Sequence, residues 1–167
     1  NKRSFNLYAE MLLRQLALAK GMPGTADNGL GVLREYLAGN GVDVSELKLA
    51  DASGLSRLNM VQADGFTVFL SGISKKKFFG AYLASLPYPA DPDATGHIKK
   101  MGANTKLEKS LKVKSGSLNG VRGYAGYLTT KKGKLLTFTS ILNNYTAPAA
   151  EIDRLHEAIL LELIEQY

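Results

Sequence analysis

Cysteine does not occur anywhere in the 167 residues, which excludes a disulfide framework, a thiolate zinc site and a cysteine nucleophile. Histidine occurs only at His97 and His156, too sparsely for a histidine-rich metal site or a local Ser-His triad. His156, on what reads as a terminal helix, is expected to be structural. Long apolar runs are missing too: the stretch "MLLRQLALA" is interrupted by Arg14, so residues 1–20 are neither a signal-peptide core nor a membrane span. No integral membrane segment is expected. No initiator methionine opens the chain, which reads as a mature form or a cut fragment of a longer protein. Internal repeats and low-complexity tracts are absent.

What is present is the composition of a globular chain. Apolar residues make up 45% of it, enough for one sizeable core in a single domain. The net charge of +6 and a pI near 9.4 favour anionic partners. The longest basic run, Ser74-Lys75-Lys76-Lys77, lies between apolar segments and reads as a solvated helix end. No aromatic residues interleave with it, so no nucleic-acid role is expected.

Helical periodicity is followed by strand periodicity. A helix from a Ser4 cap to about Lys20 carries Phe5, Tyr8, Leu12, Leu16 and Ala19 on one stripe, with Gly21 and Pro23 as stop signals. A second helix, from Asp27 or Asn28 to Ala38, buries Leu30, Leu33 and Leu37 and stops at "GNG". A third covers residues 62–72, an apolar patch follows at 78–86, and "PYPADPDATG" is loop. From Leu111 the period becomes two, giving strands over about 110–118, 123–130 and 134–142, the last two joined through "KKGK". The final segment is an amphipathic helix with Ile152, Leu155, Ile159 and Leu163 on its stripe, placed to lie on the sheet. Helices, then a meander, then a helix give an α+β fold, with residues 1–107 mainly helical and 108–167 forming a three-stranded antiparallel meander plus terminal helix.

Two segments carry candidate chemistry. In "KVKSGSLNG", Lys114-Ser115-Gly116-Ser117 interrupts a strand where β-branched residues would pack better. Alternation puts the hydroxyls of Ser115 and Ser117 on one face and Lys114 on the other. Gly116 leaves room for a ligand backbone, two hydroxyls suit a carboxylate, and lysine adds positive field. An edge strand protected by lysine and serine would read the same way. In "DASGLSRLN", residues 51–59, Ser56 and Asn59 lie three apart in a tight loop, which alone suits an ordinary helix cap. Asp91 and Asp93 flank Pro92 in a loop and make a weak case for a catalytic carboxylate pair.

The succession "NLYAEMLLRQLA", "DASGLSRLN", "KVKSGSLNGVRGYAGYLTT" and a terminal amphipathic helix resembles the C-terminal portion of low-molecular-mass class C penicillin-binding proteins. These are the D-alanyl-D-alanine carboxypeptidases and endopeptidases of bacterial cell-wall metabolism, with a β-lactamase/transpeptidase-like fold. The resemblance runs from Asn6 to the final helix. It implies a serine nucleophile in Ser-x-x-Lys, a second motif summarised as Ser-x-Asn, and a Lys-(Ser/Thr)-Gly strand. Two Ser-x-x-Lys matches exist, Ser45 to Lys48 and Ser74 to Lys77, about as many as chance gives. The resemblance requires the nucleophile far upstream of the second motif, whereas Ser45 precedes that motif by only a few residues and Ser74 follows it, so the nucleophile is expected outside the chain.

On the resemblance, Ser56, Asn59 and Lys114 would be catalytic, with Asn59 holding the substrate amide although the second motif is usually one residue shorter. Ser115, Gly116, Ser117 and Leu118 would bind substrate, the hydroxyl pair taking the terminal carboxylate in a groove shared with Ser56 and the Leu118 N–H serving half an oxyanion hole. The partners implied are peptidoglycan stem peptides and β-lactams, without a cofactor, in the periplasm or elsewhere outside the cytoplasm. A noncatalytic peptide-carboxylate binding module and a serine β-lactamase remain as alternatives. The strand over 134–142 would expose an edge open to self-association.

Overall fold

A computed structural model describes residues 1–167. It divides into two compact units, one of residues 5–73 and the other of residues 1–4 with 74–167. No helix is long and apolar enough to cross a membrane.

The first unit contains α1 (Asn6–Ala19), α2 (Ala26–Gly39) and α3 (Ala63–Ser74). Ser4 does not cap α1. Its φ of 53° is left-handed, whereas an N-cap residue is extended, and Phe5 takes the N-cap position without a side-chain bond. The expected stripe is also displaced: Phe5, Tyr8, Leu12 and Leu16 are exposed, and α1 buries Leu13 and Ala17 instead. The reason lies on α2. Gly29 is buried there, and a Cβ on it would come within 2.3 Å of the Leu13 carbonyl oxygen, so the two backbones meet at Leu13 through a position only glycine can occupy. Thr25 caps α2 by accepting the Asn28 N–H at 3.2 Å.

The second unit holds α4 (Phe79–Ser85), a 3-10 turn (Gly96–Lys100), the short α5 (Leu107–Ser110), strands β1 (Leu111–Leu118), β2 (Val121–Thr129) and β3 (Leu135–Asn143), and α6 (Ala149–Gln166). The strands form one antiparallel sheet in the order β1-β2-β3. Register sorts its two faces. The rows Leu111–Leu128–Leu136, Val113–Gly126–Phe138, Ser115–Tyr124–Ser140 and Ser117–Arg122–Leu142 turn toward α6, because Tyr124 and Arg122 bond Asp153 and Ser140 bonds His156 there. Lys112 and Lys114 lie on the opposite face with Tyr127, whose ring packs edge-on against Phe79 of α4 at 5.1 Å.

The buried face of α6 differs from the expected stripe. Ile152, Asp153, His156, Leu160 and Ile164 are buried, while Leu155 and Ile159 are 47% and 44% exposed. The helix is apolar on more than one side, and the polar pair Asp153 and His156 turns inward because partners await both on the sheet. Asp91, in the loop before the 3-10 turn, is also fully buried; it ion-pairs with Lys2 at 3.0 Å and accepts the Asp93 N–H. The proline-flanking carboxylates are thus a loop anchor, not a facing pair.

Candidate active site

The strand β1 emerges from the core along its length. Leu111 and Val113 are buried, Ser115 is half-buried, and Gly116 and Ser117 are exposed. The hydroxyls of Ser115 and Ser117 share a face, as two-residue alternation requires, and neither has a hydrogen-bond partner. A Cβ on Gly116 would meet nothing within 4 Å. Two free hydroxyls thus flank an open stretch of backbone.

The outer edge of β1 has its own chemistry. Val113 donates its N–H to the Pro87 carbonyl at 2.9 Å, away from β2. Backbone groups of an antiparallel strand alternate sides residue by residue, so the N–H groups of Ser115 and Ser117 also look out of that edge. The Leu118 N–H does not. Leu118 pairs with Val121 across the two-residue turn Asn119-Gly120, and its N–H and C=O close the ladder to β2. The outward N–H at this end of the strand is therefore that of Ser117, not that of Leu118.

Lys114 reaches the same edge. Its ammonium donates to the Ser115 carbonyl at 2.6 Å, no carboxylate pairs with it, and burial pushes its pKa down. A desolvated lysine without a counter-ion loses its proton more readily than an exposed one, which suits it to move protons.

The loop of residues 50–59 in the other unit is held from within. Asp51 accepts N–H groups from Ser56 at 2.7 Å and Gly54 at 2.9 Å, and its carboxyl is held below its ordinary range because these bonds outweigh the upward push of burial. Asn59 is consumed by the same loop. Its Nδ2 donates one hydrogen to Asp51 at 2.7 Å and its Oδ1 accepts from Ala50 at 2.7 Å, so its side chain is fixed by its own loop. The Ser56 hydroxyl accepts the Leu58 N–H at 3.2 Å. Glu10 of α1 adds bonds to the Ala52 and Ser53 N–H groups.

Another Ser-x-Asn escaped the sequence reading. Ser4-Phe5-Asn6 has the exact one-residue spacing that Ser56 and Asn59 lack. The Ser4 hydroxyl and the Asn6 amide are exposed and unpartnered. Ser4 holds a left-handed φ of 53°, a strain found where surroundings fix a functional geometry. It belongs to the same compact unit as Lys114. The spacing itself was the available signal, and reading Ser4 as a helix cap hid it.

Comparison with known proteins bears on this geometry. The profile of the D-Ala-D-Ala carboxypeptidase 3 (S13) family matches residues 1–161. The chain is 35% identical over 150 residues to a D-alanyl-D-alanine carboxypeptidase of Actinomadura sp. strain R39, covering 89% of this chain and 28% of that protein. The crystal structure of penicillin binding protein 4 from Haemophilus influenzae superposes with a TM-score of 0.86 at 27% identity, over 98% of this chain and 38% of the other. The same H. influenzae protein complexed with a β-lactam gives a TM-score of 0.83 at 25% identity, over 98% and 40%. The chain spans only 28% to 31% of the length of the curated relatives it matches.

Proposed function

The chain belongs to the D-Ala-D-Ala carboxypeptidase 3 (S13) family, and from that premise we propose that it forms one wall of the active site of a serine D-Ala-D-Ala carboxypeptidase or endopeptidase acting on peptidoglycan stem peptides. The observation carrying this reading is the exposed end of β1, where the unpartnered Ser115 and Ser117 hydroxyls flank the open backbone at Gly116. A terminal carboxylate takes two hydroxyl donors there. The Ser117 N–H at the outer edge donates to the oxyanion of the tetrahedral intermediate; one such donor is worth on the order of a hundredfold or more in rate.

Lys114 shuttles protons at the same edge. In the acyl-transfer reaction a serine hydroxyl attacks the penultimate D-Ala carbonyl, the peptide C–N bond breaks, and the proton from the hydroxyl ends on the leaving D-Ala nitrogen; water then hydrolyses the ester. The nucleophile lies outside this chain. Ser4, in the same unit as Lys114, supplies the second-motif hydroxyl in place of Ser56, whose hydroxyl serves its own loop. β-Lactams acylate the same serine, and the protein acts outside the cytoplasmic membrane, where peptidoglycan lies. The unpaired outer edge of β3 is a surface for strand pairing, either with further chain or with a second copy.

The test uses the full-length protein containing this chain. Exposure to a fluorescent penicillin followed by peptide mass mapping should give one adduct outside the present residues, and a D-Ala-D-Ala peptide should release D-Ala. The absence of both labelling and D-Ala release would overturn the enzyme reading, and an adduct on Ser45 or Ser74 would overturn the placement of the nucleophile.

A further inference from the structure

The row of side chains beginning at Ser117 continues into a guanidinium. Ser117 pairs with Arg122 across β1 and β2, and because the Ser117 N–H faces away from β2 this is a non-hydrogen-bonded pair. Such pairs bring Cα atoms to about 4.5 Å and their side chains closest together. Arg122 thus extends on the Ser115 and Ser117 face, not on the Lys114 face.

Its orientation is fixed from behind. Asp153 of α6 accepts from Arg122 Nε at 2.6 Å and from Nη2 at 2.5 Å. The carboxylate is itself held by the Tyr124 hydroxyl at 2.6 Å and approached by His97 Nδ1 at 3.4 Å. His97 Nε2 in turn meets Glu157 Oε1 at 2.6 Å, tying the 3-10 turn to α6. A guanidinium has five N–H donors in a rigid fork. Asp153 takes the edge made by Nε and one Nη2 hydrogen, and the Tyr124 hydroxyl lies against the same guanidinium. The Arg122 side chain is 15% exposed, so it is desolvated enough for its remaining donors to count and open enough to be reached.

The Arg122 side chain leaves β2 on the face that carries the Ser115 and Ser117 hydroxyls, and it stays partly exposed beside Asp153. Two unpartnered hydroxyls with a guanidinium as cross-strand neighbour suit a single acceptor with two oxygens.

We propose that Arg122, positioned by Asp153, is a substrate-binding residue that supplies the charged donor for the terminal carboxylate at the Ser115 and Ser117 hydroxyls. This rests on the functional reading above and adds a specificity determinant to it: ligands ending in a free carboxylate are selected over neutral ones by the Arg122 guanidinium as well as by hydroxyl dipoles.

The experiment measures the second-order acylation rate constant of the full-length protein for benzylpenicillin and for its methyl ester, which removes only the carboxylate charge. The ratio of the two is the readout. In Arg122→Gln the ratio should fall about 10- to 100-fold, the worth of one charge-assisted hydrogen bond. Because Arg122→Gln leaves Asp153 without its counter-ion, the double variant R122Q/D153N, which removes both charges, is measured beside it and should show the same fall. Arg122→Lys should recover part of the ratio. A merely structural arginine would lower both rates together, and an unchanged ratio in the folded double variant overturns the proposal. If the wild type is not acylated by either compound, the functional reading fails and this proposal fails with it; acylation of the wild type with an unchanged ratio in the variants sinks this proposal alone.

Discussion

Replacing Asp153 by leucine should be among the most costly single changes in the sheet unit, and the cost follows from its bonds. The carboxylate is 3% exposed. It accepts two bonds from Arg122 and one from the buried Tyr124 hydroxyl, all between 2.5 and 2.6 Å. Those bonds outweigh the upward push of burial and hold its pKa below the ordinary carboxylate range, while the same pairing raises Arg122. Asp153→Leu strands a largely buried guanidinium and a buried phenol. Breaking one partner of a buried pair costs about 3–5 kcal/mol, whereas replacing both partners by apolar residues is often near neutral. The double change R122M/D153L should therefore recover most of the loss. Urea unfolding followed by near-ultraviolet circular dichroism suits the measurement, since the chain has eight tyrosines and no tryptophan. With a slope of about 2 kcal/mol/M the single change should move the midpoint down by about 2 M. A loss below about 1 kcal/mol, or a double variant no more stable than the single, would refute the view that Asp153 is chiefly the counter-ion of Arg122.

The remaining expectations concern pH and the second motif. Burial depresses the pKa of His156 below its ordinary 6.5. Its folded form therefore stays neutral while the unfolded chain takes up a proton. The stability it preserves is complete above pH 6.5 and is lost as pH falls toward the depressed value, so His156→Phe should flatten the urea midpoint between about pH 6.5 and 5. An unchanged slope would count against it. Ser4→Ala in the full-length protein should lower penicillin acylation by about 100-fold or more, whereas Ser56→Ala should change it less than about tenfold; the reverse order would return the second motif to the 50–59 loop.

Much of this was legible in the sequence where local rules decide. Period two located β1, β2 and β3 within about two residues, and it put Ser115 and Ser117 on one face. Period two does not say which backbone groups point at the neighbouring strand. That depended on Val113 bonding Pro87, and it moved the edge N–H from Leu118 to Ser117. The terminal helix shows the limit of apolar counting: with Leu155, Ile159, Leu160 and Leu163 on different sides, no stripe was unique. The true face was selected by Asp153 and His156, whose partners Arg122 and Ser140 lie 31 and 16 residues away. α1 failed for a related reason, since its buried side was chosen by a glycine on α2. In the loop of residues 50–59, Asn59 has the residue type of a substrate-holding amide, but Asp51 and Ala50 claim it.

The most direct test of the central claim is the benzylpenicillin acylation rate of the full-length protein carrying Ser115→Ala and Ser117→Ala together. Loss of both hydroxyls should slow acylation by about 100-fold or more, at about 1.5 kcal/mol or more for each hydrogen bond to a charged group, with the urea midpoint little changed because neither hydroxyl has a partner in the protein. A rate within a fewfold of the wild type would contradict the assignment of this strand end as the carboxylate site.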